Sequence, residues 1–199
     1  MDAAPEIADG QPEQLELLVD ILADSFSADL VMNWIIPAPE LYPDFFRLLI
    51  RDIFLPRGVT HLDTGSRGAA LWLPPGATFD VPPSLSLVGL VVNLLLKKGP
   101  RPLWRIPQQG AVFDRHHPHE PHYHLVFVGC RKANQGQGVG SALIKQGTRI
   151  CDEQHLPAYL ESSSELNVPL YQRHGFEIVA EETLPKGGPH VWFMWRPAR

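Results

Sequence analysis

The sequence predicts an α/β (α+β) fold on a single mixed, mostly antiparallel sheet flanked by helices, and two observations carry that reading. A strand at 123–130, a helix at about 138–154 and a strand at 158–161 follow one another at a spacing that demands a parallel pair with a right-handed crossover. Two further strand pairs, 59–63 with 69–73 and 176–183 with 190–196, are joined by short loops containing glycine and read as antiparallel neighbours. With 199 residues the chain suits one domain, 1–199, able to bury a core.

Taken in order, Leu15, Leu18, Val19, Leu22 and Phe26 recur at helical spacing, so an amphipathic helix runs to about residue 27. It begins so early that any strand before it is short or absent. Residues 29–37 are apolar and irregular. Pro37, Pro39 and Pro43 then mark a loop before a second helix at 44–55, whose stripe is Phe45, Leu48, Leu49 and Ile53. After the first hairpin, 77–121 reads as an insertion packed over one end of the sheet. It holds an apolar helix at 85–97 and then a run rich in proline and histidine. Leu143, Ile144, Gly147, Ile150 and Cys151 form the inward stripe of the helix at 138–154, and a short helix is expected at 168–174.

Composition excludes several classes of function. The net charge of −5 argues against sequence-independent nucleic-acid binding, which draws its affinity from excess lysine and arginine. The longest apolar run, 85–96, is interrupted by Ser86, Gly89 and Asn93 and falls short of the roughly 18 residues a membrane span needs. Neither nucleic acid nor a membrane is expected as a partner. The acidic N-terminus has no secretory pattern, which points to a cytoplasmic protein. Its two cysteines, Cys130 and Cys151, are too few for a disulfide scaffold and are expected to be buried thiols.

The chemistry concentrates at HLVFVGCRKANQGQGVGSAL, residues 124–143, which reads as strand, glycine loop and helix start. Gly136, Gly138 and Gly140 let backbone N–H groups converge where the positive end of a helix favours an anion. A P-loop is excluded, because no Gly-Lys-Ser/Thr follows the glycines. A dinucleotide site is disfavoured: the spacing is G-x-G-x-G, and no series of further βα units follows, although Glu161 lies about where a ribose-binding acid would.

Gln135-x-x-Gly138-x-Gly140 after a strand ending VFVGC resembles the acyl-CoA pyrophosphate motif, Q/R-x-x-G-x-G/A, of the GNAT acetyltransferases. LESSSELNVPLYQRHGFE resembles that superfamily's second signature, with Asn167, Tyr171 and Gly175-Phe176 in place. The likeness is most specific over 122–197, and the order of the pieces is most similar to puromycin N-acetyltransferase and its relatives. It implies a GNAT fold whose central parallel pair splays to admit pantetheine, and acetyl-CoA as co-substrate with no metal. Val126 and Val128 would then pair with pantetheine amides, and the N–H groups of Gln135, Gly136, Gln137, Gly138, Val139, Gly140 and Ser141 would cradle the pyrophosphate. Asn167 would contact the pantetheine arm. Tyr171 would stand near the thioester sulfur, where a phenol can protonate the departing thiolate.

Acetyl transfer needs a neutral amine and hence a base. Strand alternation places His122, His124, Val126 and Val128 on one face, and Glu161 ends the neighbouring strand. Glu161 is the favoured base, with His124 second. HHPHEPHYH invites a metal reading, but its prolines break any helix that could align ligands. Trp34, Trp72 and Trp104 are candidates to line a pocket for an apolar or aromatic amine. The expected function is acetyl transfer from acetyl-CoA to a primary amine of a small molecule, by direct attack in a ternary complex of a monomer or homodimer. The alternative is a GNAT-fold CoA-binding sensor or interaction module without turnover.

Overall fold

The computed structural model describes residues 4–199. Its strands are β1 (Ile7–Asp9), β2 (Val59–Asp63), β3 (Gly68–Leu73), β4 (Tyr123–Cys130), β5 (Ala158–Ser162), β6 (Glu177–Thr183) and β7 (His190–Arg196). They form one seven-stranded sheet in the order β1-β2-β3-β4-β5-β7-β6. Only β4 and β5 run parallel. The mixed sheet therefore agrees with the sequence reading, and the short first strand is present on the outer edge of β2.

The helices are α1 (Leu15–Phe26), α2 (Leu30–Ile35), α3 (Tyr42–Leu49), α4 (Leu55–Arg57), α5 (Leu85–Lys98), α6 (Arg101–His116), α7 (Val139–Glu153) and α8 (Val168–Arg173). A π-helical segment, Ile50–Phe54, joins α3 to α4. Two structures differ from the sequence reading. The stretch read as irregular contains α2, which starts where Asp29 accepts the Met32 N–H at 2.8 Å in an N-cap. The proline-rich run contains α6, because Pro102 sits in the first turn, where a missing N–H matters little, and one interior proline, Pro107, is tolerated.

Two apolar clusters lie on opposite faces of the sheet. One packs α1, α3 and the π segment against Leu62, Leu71 and Leu73; the other packs Leu143, Ile144 and Cys151 of α7 against Trp72, Leu125 and Leu160. Gly147 is what lets α7 approach: a Cβ there would stand 2.3 Å from the Trp72 ring. On the same face His61 of β2 is wholly buried, and among the described residues its ring nitrogens lack a hydrogen-bond partner; Asp9 stands 3.8 Å away. Burial lowers its pKa to about 4.

The sheet departs from simple alternation at one point. Leu71 pairs with Phe127 and Trp72 with Leu125, so Val126 is an extra residue in β4. Before this bulge Tyr123 and Leu125 face α7; after it Val128 and Cys130 do. Val126 and Phe127 both face the other side, with His122 and His124. Val128 is thus on the opposite face from His124, contrary to the single face predicted. A period of two holds only while every residue has a partner across the ladder.

Candidate functional site

Pairing between β4 and β5 covers Tyr123↔Ala158, His124↔Tyr159 and Leu125↔Leu160 and goes no further. Beyond it β5 continues against β7 alone, and the edge of β4 from Val126 onward faces a gap. The strands therefore open into a V just past the bulge.

The glycine loop stands at the end of β4. Gly136 and Gly138 have φ of +77° and +82°, a left-handed backbone that favours glycine, and Gly138 is the N-cap of α7. A Cβ at either would meet no protein atom within 4 Å, so this side of the loop is open. The first N–H groups of a helix have no intrahelical acceptor, and α7 points its N-terminus here. Among them, the Gly140 N–H is directed at the Cys130 sulfur. The Ser141 hydroxyl is paired with His174 Nε2 at 2.8 Å, tying α7 to the end of α8. Gln135 and Gln137 are exposed, and Gln137 bonds within the loop to Asn134 and the Ala133 carbonyl.

Asn167, the exposed N-cap of α8, and Tyr171 complete this side. Tyr171 is buried in the cluster that includes Val128 and Cys130. Burial first, then the nearby charges of Asp29 and Cys130, raise its pKa, so the phenol keeps its proton. Cys130 is half-buried rather than buried as expected, because β4 ends beside the open gap; Cys151 is fully buried. Burial lifts the Cys130 thiol to about 11, which leaves it a poor nucleophile.

On the other face a cavity of about 820 Å³ opens beneath α6. Phe127, brought to this side by the bulge, is the hub of its aromatic wall, with the rings of Phe26, Phe45 and Phe79 between 5.5 and 6.4 Å away and the buried Phe46 and Phe54 behind it. The predicted tryptophans do not line it. Trp72 lies under α7, Trp34 packs beneath Arg105, and Trp104 points to solvent. The wall carries five carboxylates, Asp29, Asp80, Asp114, Glu120 and Glu161, and no lysine or arginine among the described residues.

At the cavity floor His124 Nε2 and Glu161 Oε2 are 2.7 Å apart, with side chains 12% and 9% exposed. Burial pushes the Glu161 carboxyl up, but the charge and hydrogen bond of His124, with His117 behind it, hold it below the usual value. Glu161 is therefore a carboxylate facing the His124 ring. His117 lies edge-on beside the pair, its ring 5.3 Å from that of His124 and 4.9 Å from that of His122. Burial, reinforced by His124, lowers the pKa of His117; burial also lowers that of His122, despite its bond to the Glu120 carbonyl. Tyr159 closes the floor from below. Beside the pair, the Ser163 hydroxyl donates to Asp29, joining the end of β5 to the start of α2. The histidine-rich run is thus partitioned: His116 pairs with Glu182 while His117, His122 and His124 turn to the cavity.

The structure brings His124 and Glu161 together and places the glycine loop, Asn167 and Tyr171 around the gap. Asp29, Phe127, His117 and Ser163 were not found from sequence. Asp29 had a readable signal, an acid before an apolar run; Phe127 had none, because its orientation depends on the bulge.

Residues 110–196 match the acetyltransferase (GNAT) domain family. An uncharacterised N-acetyltransferase of Schizosaccharomyces pombe is 44% identical over 54 residues, a match spanning 27% of this chain and 22% of that protein. A Corynebacterium glutamicum structure of a histone acetyltransferase HPA2 and related acetyltransferase superposes with a TM-score of 0.72 at 22% identity, covering 99% of this chain and 98% of that one. Arylalkylamine N-acetyltransferase 2 of Aedes aegypti gives 0.62 at 11% identity, covering 98% and 99%. The fold is that of the GNAT N-acetyltransferases.

Proposed function

We propose that this chain transfers the acetyl group of acetyl-CoA to a primary amine of a small molecule, by direct attack in a ternary complex. The observation that carries the reading is the V between β4 and β5, with an open positive-φ glycine loop at one end and a carboxylate–imidazole pair at the other. The residues present fit acetyl-CoA. The free β4 edge at Val126 and Val128 offers backbone groups to pantetheine amides, and Gln135 to Gly140 at the start of α7 offer N–H groups and a helix dipole to the pyrophosphate. Asn167 borders the arm. Acetyl-CoA supplies the activated acyl carbonyl.

The acceptor enters the phenylalanine-walled cavity from the other face. An amine arrives largely as its ammonium, and a wall with five carboxylates and no lysine or arginine among the described residues attracts that form. The His124–Glu161 pair then takes the proton. His124 commits Nε2 to Glu161, which leaves Nδ1 as the ring's other proton site, and the anionic Glu161 stabilises the imidazolium that forms. His124 and Glu161 thus act as one unit. Tyr171, protonated and buried, gives its proton to the departing sulfur. Since the Cys130 thiol is held protonated, no acyl-enzyme is invoked. The likeness to the puromycin branch rests on the order and spacing of sequence motifs.

Incubation with acetyl-CoA and a panel of primary amines of increasing apolar bulk, followed by mass spectrometry, tests the proposal. N-acetylated product from arylalkyl or alkyl amines is expected. Tight binding of acetyl-CoA with no product from any amine would instead favour a CoA sensor.

A further inference from the structure

α5 carries apolar side chains on two opposite sides, yet only one of them is covered. Leu87, Leu90 and Leu94 face the protein, while Leu85, Val88, Val92 and Leu96, spaced along the opposite stripe, are 91%, 58%, 45% and 80% exposed. A contiguous exposed apolar stripe of this length marks an interaction surface. Trp104 of α6 extends the bare surface at 69% exposure, and Phe79 and Ile106 carry it to the cavity, whose wall they also line.

Charge identifies what covers this surface. The protein has net charge −5, but residues 81–113 contain no acid and four cations, Lys97, Lys98, Arg101 and Arg105. Arg105 is turned inward, bonded to the Trp34 carbonyl at 2.7 Å, and Lys97 reaches Glu40 at 3.3 Å. Lys98 and Arg101, at the facing ends of the two helices, make no ion pair among the described residues, and the acid whose field Lys98 shares, Glu40, is already bound to Lys97. A second copy docked through the same face would repeat these cations and bring only Glu40, already bound to its own Lys97, to meet them. An anionic lipid surface satisfies both halves: leucine, valine and tryptophan enter the headgroup–acyl boundary while the cations meet lipid phosphates and carboxylates.

We infer that the α5–α6 hairpin is a docking face for an anionic lipid surface and sets the mouth of the cavity against it. The lack of a spanning segment, on which the sequence-based expectation of no membrane partner rested, does not bear on such a face, which lies in the plane of the interface.

Co-sedimentation of the full chain with phosphatidylcholine vesicles, with and without about 30% phosphatidylserine, tests this. The expected result is pelleting with the anionic vesicles, weakened by salt and reduced at least about tenfold by Leu85→Asp with Leu96→Asp, or by Lys98→Gln with Arg101→Gln. The four side chains lie on the surface, so circular dichroism should show unchanged folding in both variants. A blue shift of fluorescence with the same vesicles should vanish in Trp104→Phe. Absence of pelleting, pelleting indifferent to the Leu85/Leu96 variant, or a dimer in sedimentation velocity that this variant dissolves would overturn the assignment.

Discussion

His124 Nε2 lies 2.7 Å from Glu161 Oε2, across two parallel strands whose ladder has already ended at Leu125↔Leu160. The contact spans the throat of the V, and both side chains are held there by β-structure rather than by loops. Such a placement fixes a proton acceptor beside the gap while leaving the gap open.

If this pair is the base, His124→Ala should lower kcat by about 10²- to 10⁴-fold with little change in acetyl-CoA affinity. Glu161→Gln should cost nearly as much, and the double variant little more than either single one, because the two act as a unit. Steady-state kinetics on the three variants checks this; additive losses would separate the two roles.

Tyr171→Phe removes a buried hydroxyl whose pKa is raised by burial, a proton donor throughout the neutral range. The expected outcome is a fall in kcat of about ten- to a hundredfold with KM for acetyl-CoA nearly constant. A rate equal to that of the unsubstituted protein would remove Tyr171 as the acid.

Gly138→Asp imposes both a strained left-handed backbone, worth about 1–2 kcal/mol, and a negative charge at the helix N-terminus. Calorimetry should show acetyl-CoA affinity reduced by tenfold or more. Unchanged affinity would move the pyrophosphate elsewhere.

Gly147→Ala tests the fold itself. The new methyl would stand 2.3 Å from the fully buried Trp72 ring, so destabilisation of about 1–3 kcal/mol is expected in urea unfolding.

Stability should fall on acidification, in part through His61. Its pKa drops from 6.5 in the unfolded chain to about 4 in the buried ring. Between those values the unfolded chain binds a proton that the folded one does not, so unfolding takes up protons. The contribution, on the order of 3 kcal/mol, is complete above pH 6.5 and lost as the pH falls toward 4. His61→Leu should flatten the melting profile between pH 7 and 4.5; an unaltered profile would assign the acid sensitivity to other groups.

Much of this architecture was legible in the chain because local signals and tertiary demands agree. The crossover from β4 through α7 to β5 and the glycine loop follow from period and turn chemistry, and each element lies within a residue or two of its expected place. The losses share a cause in backbone geometry that side-chain pattern does not encode. The unpaired residue at Val126 reverses alternation, sending Val128 away from His124 and bringing Phe127 to the cavity, so the aromatic wall is phenylalanine where the sequence alone points to tryptophan. α6 was hidden by two prolines, one of them harmless at the helix start. The glycine loop itself was readable, since its positive φ values require the residues found there. The joint presence of His124 and Glu161 was half-legible: both stood out singly, and only the parallel register at His124↔Tyr159 makes them partners.

The central claim is that the V between β4 and β5 brings an acyl donor and an amine together for direct transfer. Initial rates of CoA thiol release, measured while acetyl-CoA and an accepted primary amine are both varied, test it most directly. The account predicts amine-dependent release with intersecting double-reciprocal lines, abolished in His124→Ala. Release independent of the amine, parallel lines, or acetyl-CoA binding with no amine-dependent release across the panel would contradict it.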